Sequence, residues 1–346
     1  MPGRTTGMRA MTEQAGSLGR VAIVGAGAMG SSLAAVAARV APVVMVVRNP
    51  ARAAQIFDRG VVVRGKIHAD ARPLLVKRVE DLPAIGGIGA VFIATKTTAI
   101  ASVCHDLAPV LPSLGADGAP VSLISYQNGI DPGREIMRLL GYDRVMRMVL
   151  NYGAVLDDQT GEVHVGMHEP PHAVGCVTPD LVPECESLAA RLTEADFPTR
   201  YEPDIETPVW LKAILNASMS PVAALIDSTI REVLDSPARA VVARLLDESI
   251  AVARAEGIAV PEGFTDRAWS IFQNGADHVP SMVEDIRRGR ESEVGQLNRQ
   301  IVGHARTLGV PVPTHETVDA LIEAFDWRLY HARASARRHW TEEAAR

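Results

Sequence analysis

The stretch RVAIVGAGAMGSSLAAVAARV, residues 20–40, has three glycines between a short apolar segment and an alanine-rich run. The small and β-branched residues at 21–24 are typical of a strand that is buried on both faces. Residues 31–40 have the composition of a helix. A strand, a glycine turn and a helix in this order leave free backbone N–H groups at the helix N-terminus, where a pyrophosphate can be held. The stretch therefore predicts a β–α unit that binds a dinucleotide.

Each glycine of this GxGxxG spacing has its own expected role. Gly25 permits the tight turn, Gly27 lets the phosphates approach the backbone, and Gly30 allows close contact of helix and strand. The GxGxxG spacing alone is a weak signal, and the alternative is a glycine turn that binds no ligand. The position of the segment between a strand and a helix favours dinucleotide binding. The loop residues expected to contact the dinucleotide are Gly25, Ala26, Gly27, Ala28, Met29 and Gly30.

The end of the second strand indicates which dinucleotide is bound. Residues 42–47 form the predicted strand, and Arg48-Asn49-Pro50 follows it with no carboxylate before Asp58. A carboxylate there would take the ribose 2′-hydroxyl of NAD, whereas an arginine suits the 2′-phosphate of NADP. We therefore predict NADP(H), with Arg48 as a ligand. The alternative is that Arg48 is a solvated surface charge.

Composition limits the classes of protein to consider. A chain of 346 residues with 47% hydrophobic content predicts two packed domains. The net charge of −6 argues against nucleic acids or anionic membranes as partners. No apolar run approaches the ~20 residues of a spanning helix, and residues 1–19 lack the apolar core of a signal peptide. Three unpatterned cysteines indicate a reducing compartment, so we expect a cytoplasmic protein.

Two regimes divide the chain. Short β-rich runs alternate with helical stretches up to about residue 200, at 61–63, 90–94, 121–124, 145–149, 162–165 and 173–177. Long helical segments follow, at roughly 207–228, 236–256, 262–275, 279–289, 291–308 and 314–330. The predicted fold class is α/β, with an N-terminal Rossmann-type doubly wound sheet followed by an all-helical C-terminal domain.

The expected domain bounds follow from these regimes. We predict a flexible tail over residues 1–19, an NADP-binding domain over 20–200, a helical substrate and catalytic domain over 201–335, and a tail over 336–346. A ligand cleft is expected between the two domains, at the carboxyl ends of the strands.

The segment TPVWLKAILNASMSPVAAL, residues 207–225, carries three polar side chains four residues apart: Lys212, Asn216 and Ser220. Each such step turns a helix by only ~40°, so the three lie on one face. Apolar neighbours would desolvate the lysine, which lowers its pKa and lets it exchange a proton near neutral pH. The alternative is an amphipathic helix whose lysine reaches water.

Two other clusters are weaker. The segment SMVEDIRRGRESEVGQLNRQ, residues 281–300, contains Ser281 and Glu293 but alone is typical of a charged, solvated helix surface. His164, His168 and His172 recur every four residues, yet the prolines at 170–171 forbid the continuous helix that would align them. No metal site is predicted there.

The order of these motifs resembles the ketopantoate reductase (2-dehydropantoate 2-reductase) family over about residues 20–332. The matching segments are GAGAMG, VRNP, FIATKTTAI with Lys96, SYQNGI with Asn128, WLKAILNASMSP, SMVEDIRRGRESEVGQLN and LGVPVPTHETVDALI. The resemblance implies NADPH-dependent reduction of a branched 2-oxo acid (2-dehydropantoate to pantoate, or a close analogue) to the 2-hydroxy acid, a step of pantothenate biosynthesis.

The resemblance also implies residue roles. Lys212 donates the proton to the carbonyl oxygen, and Glu293 lies by the nicotinamide ribose and the catalytic lysine. Lys96, Asn128 and Ala154 border the cofactor. The substrate is held by Lys212, Asn216, Ser220 and Ser281.

Three positions depart from the family pattern. Ser220 stands where the family usually has a second substrate-binding asparagine, and Ile230 and Gly295 replace an Asn or Gly and an aspartate. Serine still donates and accepts a hydrogen bond but is shorter than asparagine. Losing such groups redirects specificity more readily than it abolishes catalysis.

The departures leave alternatives open. One is an NADP-dependent dehydrogenase of the same fold that acts on a different oxo or hydroxy acid. Another, from a different class, is a nucleotide-binding sensor without turnover, against which Lys212 and Glu293 argue. The exact substrate, the physiological direction and the oligomeric state are not fixed by the sequence, and a homodimer is one alternative.

Overall fold

A computed structural model describes the backbone of residues 19–344 and the side chains of residues 19–331. The chain divides into two compact units. The first contains residues up to 127 together with 132–205, and the second contains 128–131 together with the chain from 206 onward. Residues 1–18 of the expected N-terminal tail lie outside the described residues.

The described residues of the first unit form twelve strands. They are β1 (Arg20–Val24), β2 (Val43–Val46), β3 (Val61–Gly65), β4 (Ala69–Ala71), β5 (Leu74–Val76), β6 (Ile88–Ile93), β7 (Ser122–Ser125), β8 (Val145–Val149), β9 (Tyr152–Leu156), β10 (Val163–His168), β11 (His172–Cys176) and β12 (Thr199–Tyr201). The helices of this unit are α1 (Ala28–Ala37), α2 (Pro50–Arg59), α3 (Ile100–Leu107), α4 (Pro132–Leu140) and α5 (Val182–Glu194).

Eight strands form the main sheet, in the order β12-β11-β8-β7-β6-β1-β2-β5. The six strands from β8 to β5 are parallel to their neighbours, β11 is antiparallel to β8, and β12 is parallel to β11. Val21, Ala22 and Ile23 of β1 are fully buried, as the apolar segment at 21–24 predicts. The predicted doubly wound α/β unit is confirmed.

A second sheet of four strands, in the order β4-β3-β10-β9, was not predicted. Its strands are short. β10 pairs with β3, although the two strands are about a hundred residues apart in the sequence, as in the pair Val163 and Val63. Gly65 has a φ of 98°, and a Cβ there would lie within 2.3 Å of the Val165 carbonyl oxygen. Glycine therefore allows the two strands to approach, a requirement that appears only once they are paired.

The second unit is helical, as predicted. Its helices are α6 (Glu206–Leu225), α7 (Ile230–Asp235), α8 (Arg239–Ala255), α9 (Phe264–Asn274), α10 (Ser281–Arg287), α11 (Asn298–Leu308) and α12 (Pro313–Ala344). α6 packs against α8, α10 and α12 around an apolar core. Within the described residues, no helix has the length and apolar composition needed to span a membrane.

The helix bounds differ from the expected ones at three places. The expected helix over 291–308 begins only at Asn298, because a short 3-10 turn occupies Val294–Gln296. α7 precedes α8 as a separate helix, because Thr229 and Glu232 form a capping box that starts a new helix there. The backbone of α12 stays helical to Ala344, past the expected helix end at about residue 330 and the expected domain end at residue 335.

Candidate active site

The glycine loop between β1 and α1 is sterically demanding at two of its three glycines. Gly25 has a φ of 118°, and a Cβ there would lie 2.9 Å from the backbone of Ala94. A Cβ on Gly30 would lie 2.0 Å from the Gly25 carbonyl oxygen, so any side chain would push α1 away from the loop. Gly27 is exposed, and a Cβ there would meet no atom within 4 Å. The backbone at Gly27 therefore faces open space, where a phosphate would fit.

The N-terminus of α1 suits an anion. Gly27 occupies the N-cap position and has no side chain to accept from the first-turn N–H groups, and no acidic residue lies in that turn. The unpaired N–H groups and the helix dipole both favour negative charge at this point. The loop is therefore compatible with the pyrophosphate of a dinucleotide.

Arg52 on α2 contacts the glycine loop, and sequence analysis missed this contact. Its Nε donates to the carbonyl oxygen of Ala26 at 3.2 Å, and its two terminal nitrogens donate to Ser31 Oγ at 2.9 Å and to the carbonyl oxygen of Gly161 at 2.8 Å. The residue is only 7% exposed, and this burial lowers the pKa of its guanidinium. The planar guanidinium joins the loop, the start of α1 and the β9–β10 turn, which fixes the loop's shape.

Two buried tyrosines, Tyr126 and Tyr152, form hydrogen bonds beneath the start of α1, next to the glycine loop. The hydroxyl of Tyr152, on β9, donates to the carbonyl oxygen of Met29 at 3.3 Å and lies 3.1 Å from the hydroxyl of Tyr126. Both rings are buried, and that burial raises the pKa of both phenols. Sequence periodicity gave no sign of this contact, because it depends on the second sheet.

Arg48 follows β2 and is exposed. The next residue, Asn49, caps α2 by accepting from the backbone N–H groups of Ala51 and Arg52. Because β5 runs parallel to β2, its carboxyl end brings two further basic residues, Lys77 and Arg78, to the same edge of the sheet. Arg78 is itself paired with Asp81 at 3.4 Å, so the exposed Arg48 and Lys77 are the basic residues at this end of the sheet with which a phosphate could pair.

The remaining cofactor candidates are distributed over both units. Lys96 comes three residues after the end of β6 and is half-buried, at the same edge of the main sheet as the glycine loop. Ala154 lies on β9 of the small sheet, opposite Val165. Asn128 follows β7 but belongs with the second unit. The structure thus places Lys96 and the loop on one edge, and it groups Asn128 with the helices.

The helix that carries Lys212, α6 (called the lysine helix below), has its polar side chains on one face, as predicted. Lys212, Asn216 and Ser220 on α6 are all half-buried, whereas Ala213 and Ala217, which follow two of them, are buried. The three polar side chains therefore lie along one partly open strip of the helix, next to Leu211 and Leu215, which are also half-buried.

The segment around Glu293 is held by contacts that the sequence analysis missed. Glu293 is half-buried and directly precedes the 3-10 turn Val294–Gln296. Ser292 donates from Oγ to Asp326 at 2.7 Å and from its backbone N–H at 2.9 Å, which ties this turn to α12. Ser281 is the exposed first residue of α10, which packs against α6.

The departures from the family pattern have different structural consequences. Ile230 is 8% exposed and belongs to the apolar core of the second unit, so its side chain packs rather than binds a ligand. Gly295 lies in the 3-10 turn, and a Cβ there would meet no atom within 4 Å. The space beside Gly295 would therefore accommodate an aspartate side chain.

The three regularly spaced histidines are split between strands. His164 and His168 lie on β10 of the small sheet, and His172 lies on β11 of the main sheet. The rings of His168 and His172 pack against Phe197, with centroids 6.0 and 3.9 Å from it. Within the described side chains, no group of three or more His, Cys, Asp or Glu is arranged to hold a metal ion.

A Rossmann-type unit with an open glycine loop, followed by a helical unit with a half-buried lysine, is the build of a nicotinamide-dependent dehydrogenase or reductase. Two family models match the chain: ketopantoate reductase PanE/ApbA over residues 21–174, and its C-terminal domain over residues 204–326. The chain therefore belongs to the ketopantoate reductase family. It is an oxidoreductase that acts on CH–OH groups.

A curated relative supports this membership. The 2-dehydropantoate 2-reductase of Aquifex aeolicus is 25% identical over 311 residues, which cover 87% of this chain and 95% of that protein.

Solved structures share the fold. A PanE/ApbA family ketopantoate reductase from Ralstonia eutropha JMP134 has a TM-score of 0.78 and 24% identity, covering 90% of this chain and all of that one. D-mandelate dehydrogenase in a ternary structure with NADH and anilino(oxo)acetate has a TM-score of 0.79 and 20% identity, covering 90% and 99%. A dimeric ketopantoate reductase from Staphylococcus aureus has a TM-score of 0.71 and 20% identity, with the same coverage.

Proposed function

We propose that this chain reduces a branched 2-oxo acid, 2-dehydropantoate or a close analogue, to the 2-hydroxy acid with NADPH. The family and the curated relatives named 2-dehydropantoate 2-reductase support the reaction type. The single observation that carries the proposal to named residues is the half-buried strip of Lys212, Asn216 and Ser220 on α6. It combines one cation with two hydrogen-bonding groups, which is what a 2-oxo acid requires.

The proposed chemistry divides between cofactor and protein. The nicotinamide supplies a hydride to the carbonyl carbon when bound. Negative charge then develops on the carbonyl oxygen, and the ammonium of Lys212 stabilises this charge and donates the proton that completes the hydroxyl. Glu293 is proposed to hold the ammonium and the nicotinamide ribose, and Asn216, Ser220 and Ser281 to orient the substrate carboxylate and carbonyl.

NADPH is the proposed cofactor. The family supports a nicotinamide cofactor, and the glycine loop with its open N–H groups fits a pyrophosphate. Arg48 after β2, with Lys77 after the neighbouring strand β5, supports the choice of NADPH over NADH. Lys96, Asn128 and Ala154 are proposed to complete the site.

A second candidate function is a dehydrogenase of the same fold that acts on a bulkier 2-oxo or 2-hydroxy acid. The short side chain of Ser220 favours it, because it leaves more room on the strip of Lys212 than an asparagine would, and Gly295 leaves open space two residues after Glu293. The fold is also shared with D-mandelate dehydrogenase, whose acid carries a ring.

A substrate panel decides between these functions. The purified protein is mixed with NADPH or NADH and with 2-dehydropantoate, 2-oxoisovalerate or benzoylformate, and loss of the reduced-nicotinamide absorbance is followed. The highest kcat/KM with 2-dehydropantoate and NADPH supports the first function, and the highest value with benzoylformate supports the second. Turnover of none of the three acids with either cofactor would contradict both.

Assembly and location are also proposed. We propose a homodimer, since α12 exposes Leu321, Trp327 and Tyr330 and a dimeric family member shares the fold. Sedimentation equilibrium tests it, and a monomer mass would contradict it. We further propose a reducing, cytoplasmic compartment, because Cys104, Cys176 and Cys185 are all free thiols.

A further inference from the structure

His304 on α11 lies between two carboxylates. Its Nε2 is 3.1 Å from Asp131 Oδ2, and its Nδ1 is 3.1 Å from Glu256 Oε2. An ionised carboxylate can only accept a hydrogen bond, and a neutral imidazole has a single N–H. Both contacts are therefore hydrogen bonds only when His304 is an imidazolium. The side chain is 22% exposed, so water competes weakly for these donors.

Asp131 ends a four-residue segment, residues 128–131, that is fixed to the same helix. Gln300 Oε1 accepts from the backbone N–H groups of Ile130 at 2.7 Å and of Asp131 at 3.2 Å. Gly129 has a φ of 100°, and a Cβ there would lie 2.6 Å from the carbonyl oxygen of Gln296. The segment is therefore in close contact with the N-terminal end of α11 and the residues just before it. Asn128 is the first residue of this segment.

The imidazole also contacts the lysine helix. The ring of Trp210 on α6 meets the ring of His304 edge-on, with centroids 5.0 Å apart. Trp210 is 1% exposed and precedes Lys212 by two residues. One side chain thus joins the segment of Asn128 and the helix of Lys212.

Asp131 and Glu256 are the charged groups that raise the pKa of His304. Asp131 comes from the 128–131 segment, and Glu256 from the end of α8; α6 contributes the uncharged Trp210. The carboxylates that α12 turns towards α11 pair with arginines of α11: Glu316 with Arg306, and Asp319 and Glu323 with Arg299. The hydrogen bond to Asp131 raises the pKa of His304 above its ordinary value, against the lowering effect of burial.

We propose that His304, in its imidazolium form, is a positioning residue that holds Asn128 in place for the cofactor through Asp131. This inference rests on the proposed function, which puts Asn128 beside the cofactor. His304 would not touch the cofactor. Its role is to fix the segment whose first residue does.

The sign of the expected pH dependence follows from the raised pKa. The two hydrogen bonds from His304 to Asp131 and Glu256 are both present below the ordinary histidine pKa of about 6.5. One of them is lost as pH rises through the higher pKa that His304 has in the folded protein. Neutral His304 keeps one hydrogen bond at most, so Asp131 or Glu256 loses its partner. We expect the Kd for NADPH to rise by about tenfold across this transition, the loss of one charge-assisted hydrogen bond.

The experiment is a fluorescence titration of NADPH at pH values from about 6 to about 9, on either side of the ordinary histidine pKa. Three variants are compared with the wild type: His304→Gln, Asp131→Asn and Glu256→Gln. His105→Gln, at an exposed site on α3, is the matched control. The 2′-phosphate of NADPH titrates in every sample, so the ratio of variant to wild-type Kd removes its effect.

His304→Gln and Asp131→Asn are expected to bind NADPH weakly at all pH values, at the level that the wild type reaches above the transition. Glu256→Gln removes one of the charges that raise the pKa, so its transition should move to lower pH. His105→Gln should match the wild type. A His304→Gln variant with wild-type affinity at low pH, or a Glu256→Gln variant with an unmoved transition, would overturn the inference.

Asn128→Ala separates this inference from the proposed function. If Asn128→Ala weakens NADPH binding and His304→Gln does not, the inference is wrong and the proposed cofactor site stands. If Asn128→Ala binds NADPH like the wild type, the placement of Asn128 by the cofactor is wrong, and the inference falls with it.

Discussion

Asn298 and His315 are joined inside the second unit, where Asn298 Nδ2 donates to His315 Nδ1 at 3.0 Å. The same Nδ2 donates to the carbonyl oxygen of Ala217 on the lysine helix at 2.9 Å. Because Nδ1 accepts, the imidazole proton is on Nε2, which faces the Leu245 carbonyl oxygen at 3.0 Å and Ser249 Oγ at 2.7 Å. The pair therefore ties α6, α8, α11 and α12 together with a neutral histidine.

This buried histidine predicts sensitivity to acid. Burial lowers the pKa of His315 to about 4. Its contribution to stability is complete above the ordinary pKa of about 6.5 and is lost as pH falls towards the lower value, because the unfolded chain takes up the proton first. Unfolding by urea at pH 7 and pH 4 should show a loss on the order of 3 kcal/mol from this group.

His315→Asn tests that assignment, because it removes the titrating ring. It should be less stable than the wild type at pH 7 and should lose less stability between pH 7 and pH 4. His105→Gln, at an exposed site, should keep the wild-type dependence. Equal acid sensitivity in His315→Asn and the wild type would show that other groups cause it.

Arg48 should determine the choice of cofactor. Wild-type kcat/KM should be much higher with NADPH than with NADH, because the exposed guanidinium at the end of β2 can pair with the 2′-phosphate. Arg48→Ala should narrow this gap by about 1.5–3 kcal/mol, the usual value of a hydrogen bond to a charged group. Initial rates with both cofactors give the two ratios.

Arg59→Ala, at another exposed arginine of the first unit, is the control and should leave the ratio unchanged. Equal use of NADH and NADPH by the wild type would contradict the assignment of Arg48. An unchanged ratio in Arg48→Ala would assign the phosphate to other cations at the same edge, such as those after β5.

Lys212 should be the proton donor. Lys212→Ala should lower kcat by on the order of 10²–10⁴, the range for loss of a general acid, while the Kd for NADPH stays near the wild-type value. Steady-state kinetics on the best substrate and a separate fluorescence titration measure the two effects. Glu293→Gln should also impair turnover, with a larger effect on KM.

Lys66→Ala is the control, since Lys66 is exposed on the first unit. A Lys212→Ala variant that keeps more than about a third of wild-type kcat would mean that the proton has another source. The family fold would remain, but the mechanism proposed for α6 would be wrong.

Arg52 should be needed for the shape of the glycine loop. Arg52→Ala removes three donors from carbonyl and hydroxyl oxygens and should destabilise the protein by about 2–3 kcal/mol. It should also raise the Kd for NADPH, because Ala26 and Ser31 lose their shared partner. Thermal melts and fluorescence titrations measure these effects.

Arg52→Lys is the informative second variant. A lysine keeps the charge but cannot present the planar guanidinium to three separated acceptors, so it should not restore the wild-type Kd. Full restoration by lysine would show that charge alone is needed at this position.

Local signals in the sequence determined much of the fold. Buried apolar segments, the GxGxxG turn and the helical periodicity after residue 206 predict the parallel sheet, the loop and the helical unit, because each depends on residues close in the chain. The face of Lys212, Asn216 and Ser220 follows from helical spacing alone. The family resemblance came from the same ordered motifs.

Tertiary structure decided what depends on distant residues. The small sheet pairs β3 with β10, and the loop's support by Arg52 and Tyr152 exists only once that sheet has formed. Asp131 and His304 are 173 residues apart, and neither pattern nor propensity relates them. The hydrophobic periodicity of a sequence does not show which distant residues come into contact. Many side chains have similar polarity, and only the packed structure determines which of them meet.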